Sequence, residues 1–222
     1  MCGRFTLAVD AAELEEEFKG VAFPTQFAPR YNVAPSQPVM VIPNDGKHTA
    51  ALFVWGMIPS WAKDPAIGSR LINARGETLA EKPAFRGPYK YKRCLILADG
   101  FYEWKSTPGT KIKVPHYIRM ADGKAFGFAG LWSEWQAADG SEVRSCAIVT
   151  TAPNGLLTMI HDRMPVILRS EDHALWLDPA PKSADELGHL IKPYPAELMR
   201  AFAVTMLVNN PANDRAECVL PA

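Results

Sequence analysis

Apolar residues along this chain fall into short runs bounded by turn residues, the pattern of strands rather than of long helices. PVMVIP (38–43) and ALFVWGM (51–57) flank the turn-rich NDGK (44–47) and predict a hairpin. CLILA runs through the Asp99–Gly100 turn into FYEWK and predicts a second, tight hairpin. HYIRM, the ADG at 121–123 and AFGFAGLW predict a third. SCAIVTT and MPVIL read as buried strands on either side of a short helix over NGLLTMI. Helical signals are few. Asp10 with Glu13 forms a capping-box pattern, Leu14 and Phe18 share one face and Gly20 is a stop, while Ser183 with Glu186 caps a later helix. Nineteen prolines break the elements into short pieces. With no alternation of strand and helix and no Gly-rich phosphate loop, Rossmann-like and P-loop architectures are excluded, leaving an α+β domain rich in strands.

Composition narrows this only slightly. A chain of 222 residues can bury a sizeable core as one domain. Lys plus Arg and Asp plus Glu balance at 24 each, so net charge names no partner, and nucleic-acid binding would require a local basic patch. The four cysteines, Cys2, Cys94, Cys146 and Cys218, are far apart and suggest neither a zinc site nor a disulfide framework; a reducing cytoplasm fits them best. Acidic residues between Asp10 and Glu17 are incompatible with a signal peptide, and no apolar run has the length of a membrane span. The expected mature chain is residues 2–222, with Met1 removed.

Four stretches could carry chemistry. In MCGRF, loss of Met1 would give Cys2 a free α-amine and a thiol on adjacent carbons. An α-amine with a pKa of about 7.7–8.0 is roughly a tenth or more neutral at pH 7, enough to form a Schiff base with an aldehyde. The thiol could then close a five-membered thiazolidine. Alternatively, the thiolate could attack an amide carbonyl with the amine as its base; by position alone, a small buried hydrophobe at a strand start is the commoner role. In LINARGET (71–78), Asn73 and Arg75 share one face of an extended segment, putting an amide beside a guanidinium able to hold a phosphate; a turn-forming Asn and a surface cation are the bland alternative. In ADGFYEW (98–104), Glu103 lies between Tyr102 and Trp104, where lost solvation would raise its pKa toward that of a general acid/base, although an exposed Glu on an edge strand is commoner. In IHDRMPVIL (160–168), His161 falls where a short helix gives way to a buried strand, with Asp162 and Arg163 adjacent; a satisfied structural histidine is the alternative.

Taken in order, MCGRF, RYNVAP (30–35), WGMIPSW (55–61), LINARGET, ADGFYEW, VTTAP (149–153) and IHDRMPVIL, with the tail VNNPANDRAECVLPA (208–222), resemble the SRAP family, the SOS-response-associated peptidase-like proteins. The resemblance implies a single compact α+β domain with a barrel-like, mostly antiparallel core flanked by short helices. It implies a DNA-damage-response protein that binds abasic sites in single-stranded DNA, including those at duplex junctions, and crosslinks them as a thiazolidine. The catalytic positions it carries over are Cys2 as nucleophile, Asn73 to orient the amine or the sugar, Glu103 to shuttle protons and His161 to assist ring-opening and ring-closure. The implied DNA contacts are phosphate clamps at Arg4, Arg75 and Arg163, stacking at Trp61 and Trp104, and a backbone contact at Thr150. Ala62 stands where some relatives have a second tryptophan after Trp61. A monomer without cofactor or metal is expected, in the cytoplasm. Strand cleavage at the lesion is a further activity of the crosslinking reading. Three rivals remain at this point: an N-terminal-nucleophile glutamine amidotransferase, although Arg4 and Phe5 replace the aliphatic residue and glycine usual there; a thiol peptidase that removes the residues before Cys2; and a plain DNA- or protein-binding module with a structural Cys2.

Overall fold

The structure, a computed structural model, describes residues 2–222. The N-terminal part comprises β1 (Phe5–Leu7), α1 (Ala11–Glu17), β2 (Arg30–Val33), β3 (Pro38–Pro43), β4 (Ala51–Trp55) and β5 (Asn73–Arg75). The middle continues with α2 (Arg86–Tyr91), β6 (Arg93–Ala98), β7 (Gly100–Ser106), β8 (Lys113–Met120), β9 (Phe126–Gln136) and β10 (Glu142–Thr151). The last part holds β11 (Met164–Pro165), β12 (Ile167–Leu168), α3 (Ser170–Trp176), α4 (Ala184–Leu187) and β13 (Met199–Ala203).

Strands β4, β3, β6, β9 and β10 pair in sequence, and β10 returns to β4, so the five close into a barrel with no free edge among them. Every pairing in the ring is antiparallel except β10 with β4, so the barrel-like, mostly antiparallel expectation holds. A second, antiparallel sheet, β13-β8-β7-β1-β2, packs on the barrel. Alternation within the strands builds both cores. Val41, Phe53, Ile96, Phe128 and Ile148 point into the barrel and join Phe5, Phe101 and Ile118 of the second sheet. Their neighbours Met40, Ile42, Leu95, Leu97, Leu131 and Val149 face outward, beneath Leu14 of α1, Tyr89 of α2 and Trp176 of α3. Each such side chain contributes roughly 1.5–3 kcal/mol on burial.

The β3–β4 hairpin is present, as are the Asp10 cap on α1 and the full Ser183–Glu186 capping box on α4. The other two predicted hairpins are not. β6 pairs with β3 and β9, whereas β7 pairs with β1 and β8, so the chain crosses between sheets at Asp99 instead of folding back. The Asp99 carboxylate accepts from the Thr6 hydroxyl and from the Ala8 amide at 2.8 Å, and this pins the corner to β1. Gly100 follows because a Cβ there would lie 2.2 Å from the Tyr117 ring. Likewise β8 belongs to the second sheet and β9 to the barrel, so 121–123 is also a crossing. The real hairpins are β7–β8, whose tip carries Pro108 and Gly109, and β9–β10, turning at Asp139–Gly140.

Candidate active site

Three structural decisions bring separate motifs around Cys2. The crossing at Asp99 starts β7 against β1, and Glu103 follows three residues later, 2% exposed. β5 pairs in parallel with β10 as Asn73↔Ile148 and Thr150↔Arg75, which buries Ala74 and turns its two neighbours the other way. The 3-10 turn Leu157–Met159 leads into 160–163 before β11 rejoins β10.

Cys2 is fully buried at the head of β1, and its carbonyl accepts from Asn73 Nδ2 at 2.8 Å. The amide's other atom, Oδ1, is buried and has no partner among the described residues. Burial pushes the Cys2 thiol far above its ordinary pKa, and the neighbouring Glu103 charge pushes it further the same way. Burial also raises Glu103 to about 7, which makes it a carboxyl that can hold or release a proton near neutrality. His161 Nε2 lies 3.8 Å from Glu103 Oε2. Burial lowers the imidazole below its usual value, although Asp162, 2.9 Å from Nδ1, favours the protonated ring. The Arg163 amide donates to the same Nδ1 at 3.1 Å, so in the neutral ring Nε2 carries the hydrogen and presents it toward Glu103. Amide, carboxyl and imidazole therefore converge on one buried cysteine. The arrangement can exchange protons at neutral pH, but it does not favour a thiolate.

The positions expected to contact DNA take up different surroundings. Arg75 is exposed at the end of β5, and Trp61 is 60% exposed on the loop after β4. Arg163 donates to Thr150 through its backbone oxygen at 2.8 Å and its hydroxyl at 3.3 Å, and Thr150 itself is fully buried beneath it. Arg4 turns toward the C-terminal segment, donating to Asn32 Oδ1 at 2.8 Å, Val208 O at 2.7 Å and Asn209 O at 3.4 Å. Trp104 Nε1 donates to Asn209 Oδ1 at 2.8 Å. Arg4 and Trp104 thus meet on that segment, which Asp214 further fastens to β2 through the Arg30 side chain and the amides of Tyr31 and Asn32.

Sequence reasoning gave no role to Glu77 or Asn32. Glu77 accepts from Arg163 at 2.5 and 2.8 Å, and Asn32 Nδ2 donates to the carbonyls of Val208 and Asn213. Both lie inside motifs already noted, LINARGET and RYNVAP, so their position was the only signal available. Among the described residues no group of three or more His, Cys, Asp or Glu could hold a metal ion, and no helix is long and apolar enough to cross a membrane.

Comparison with known proteins places the chain in a family. Residues 1–211 match the sequence profile of the family described as SOS response associated peptidase (SRAP). Among similar proteins, "Abasic site processing protein YoqW" of Bacillus subtilis is 46% identical over 222 residues, covering 99% of both chains. "Abasic site processing protein HMCES" of Rattus norvegicus is 31% identical over 237 residues, covering 90% of this chain and 67% of its own. Among solved structures, a crystal structure of a protein from Bacteroides thetaiotaomicron superposes with a TM-score of 0.89 at 28% identity, covering all of both chains.

Proposed function

The chain belongs to the SOS response associated peptidase (SRAP) family, and from that membership and the geometry around Cys2 we propose that it captures abasic sites in single-stranded DNA as a covalent thiazolidine on Cys2. The observation that carries this reading is the buried Glu103 carboxyl, poised at about 7, beside Cys2 and 3.8 Å from His161. An abasic site is a closed sugar in equilibrium with a minor aldehyde form. Opening it requires a proton removed from the anomeric hydroxyl and one delivered to the ring oxygen, and a carboxyl poised at about 7 with an imidazole beside it can do both.

Met1 lies outside the described residues; its removal is part of the proposal, because only then does Cys2 have an amine. The buried Asn73 Oδ1 is a ready acceptor for that amine, while Nδ2 holds the Cys2 carbonyl. The neutral amine adds to the aldehyde carbon to give a carbinolamine. Protonated Glu103 donates to the leaving hydroxyl, and one water departs as the imine forms. The Cys2 Sγ then adds to the imine carbon, its proton passes to Glu103 or His161, and the nitrogen regains one proton. The sum is aldehyde plus aminothiol giving thiazolidine plus water, with no redox change and no other reactant. Because a missing base offers nothing to hydrogen-bond, recognition rests on phosphates and on stacking by flanking bases, the roles proposed for Arg75, Arg163, Trp61 and Trp104.

The test is incubation of the processed protein with single-stranded DNA bearing one abasic site, followed by denaturing gel and intact mass. The expected product is a heat-stable adduct one water lighter than the sum of its parts. Cys2→Ala should lose it or leave only a transient imine, and unmodified DNA should give none. Hydrolysis of glutamine or of a peptide, with no adduct, would refute the reading in favour of an amidotransferase or peptidase.

A further inference from the structure

On the reading just given, on which the inference below rests, Arg163 is one of the proposed phosphate contacts. Arg163 has its guanidinium fork already filled. Nη1 donates to Glu77 Oε1 at 2.5 Å and Nη2 donates to Oε2 at 2.8 Å, the end-on, two-point geometry with which arginine also grips a phosphate. The pairing is built into the chain. Glu77 sits in the turn Gly76–Thr78, directly after β5, and that turn can lie against β10 only because residue 76 is glycine. A Cβ there would stand 2.2 Å from Ile191 Cγ2 and 3.1 Å from the Thr150 carbonyl oxygen.

Two features distinguish this pair from a structural salt bridge. First, it is lopsided: the Arg163 side chain is 15% exposed, whereas that of Glu77 is 54% exposed, so the carboxylate can swing into solvent while the guanidinium stays. Thr150 holds the guanidinium from the protein side through its carbonyl and hydroxyl oxygens, and this contact does not depend on Glu77. Second, Arg163 Nε is buried without a hydrogen-bond partner among the described residues, so this arrangement does not satisfy the whole guanidinium. Arg163 holds Glu77 below the usual carboxylate range, so Glu77 is charged at neutral pH, and the nearby Arg75 acts in the same direction.

We propose that Glu77 is an internal surrogate for a DNA phosphate: it occupies the Arg163 fork in the strand-free protein and must be displaced for a phosphate to bind there. The exchange replaces one anion by another on the same cation. It tunes affinity downward and keeps a guanidinium beside the His161 turn from capturing stray anions.

The experiment measures binding of a short, unmodified single-stranded oligonucleotide by fluorescence anisotropy across a salt series, for the unaltered protein, Glu77→Gln and Glu77→Ala. Each variant should bind about 5-fold more tightly, the range of a partly exposed ion pair. Its log–log salt dependence should change by less than about 0.7, the increment for one phosphate contact on a single strand, because the Arg163 contact forms in both proteins. The gain should vanish when Arg163→Gln is combined with Glu77→Gln. Equal or weaker binding by both Glu77 variants, or a gain that persists without Arg163, overturns the proposal. If the unaltered protein forms no adduct with abasic DNA, the functional reading fails instead; an adduct-forming protein with unaltered Glu77-variant affinity rejects only the surrogate.

Discussion

Glu103 should make the protein less stable in the pH range where it is useful, and replacing it should reveal by how much. Its carboxyl moves from an ordinary 4.5 to about 7 on folding because burial strips its solvation. Between these values the folded state binds more protons than the unfolded state, so stability falls as pH rises through the window. At 1.36 kcal/mol per pKa unit the penalty reaches about 3 kcal/mol above pH 8 and is below about 1 kcal/mol at pH 5. Glu103→Gln keeps the shape and cannot ionise, so it should be stabilised relative to the unaltered protein by about 2–3 kcal/mol more at pH 8 than at pH 5. Urea unfolding at the two pH values, followed by tryptophan fluorescence, reads this directly. With a slope of about 2–3 kcal/mol/M, the difference between the two midpoints should widen by roughly 1 M on going from pH 5 to pH 8. A midpoint difference that stays constant with pH would refute the claim that Glu103 ionises against burial, and with it the case for a proton carrier at this position.

Three further outcomes follow from the same contacts. Adduct formation should show a bell-shaped pH profile with its maximum between about pH 7 and 8, its acid limb set by the Cys2 amine and its alkaline limb by Glu103; initial rates with Glu103→Gln should lose the alkaline limb while strand affinity changes less. Arg4→Ala should free the C-terminal segment by removing its hydrogen bonds to Asn32, Val208 and Asn209, at a cost of about 2 kcal/mol, seen as faster amide hydrogen exchange over 206–219. Arg93→Met should be severe, because that buried guanidinium donates to the carbonyls of Tyr89, Lys90, Trp176, Asp178 and Ala180; a loss of about 3–5 kcal/mol, or roughly 10 °C or more in melting temperature, is expected by calorimetry.

Much of this was legible in the sequence where local chemistry decides the outcome. Ser183 and Glu186 satisfy each other's backbone whatever surrounds them, and NDGK reverses the chain at a place where the partner strands are its immediate neighbours. Asp99–Gly100 and 121–123 misled because the same turn residues serve a hairpin and a step between sheets. What decides between these is a distant donor, Thr6 and the Ala8 amide at the first corner, and no local pattern encodes that distance. The site behaves in the same way. Asn73, Glu103 and His161 each stood in a recognisable motif, but their convergence depends on β5 lying parallel to β10 and on β7 leaving the barrel. Arg4 shows the limit most clearly: the resemblance implied a phosphate clamp there, and only the fold reveals that its guanidinium also donates to the carbonyls of Val208 and Asn209.

The state of the Cys2 thiol fixes the order in which the proposed bonds form. A thiol driven far above 9 by burial and by the Glu103 charge has less than about 1% thiolate at pH 7, whereas an α-amine at about 7.7–8.0 is roughly a tenth or more neutral. An enzyme that opens its reaction with a thiolate lowers that pKa with nearby cations, and here the Glu103 charge works in the opposite direction. In the proposed reaction the amine is therefore the first nucleophile and the thiol the second. Once the imine exists, its electrophilic carbon lies one ring closure from Sγ, and a carboxylate near 7 is matched to accept the S–H proton as the C–S bond forms. In the proposed reaction the same carboxyl that penalises a thiolate before capture assists the thiol after it.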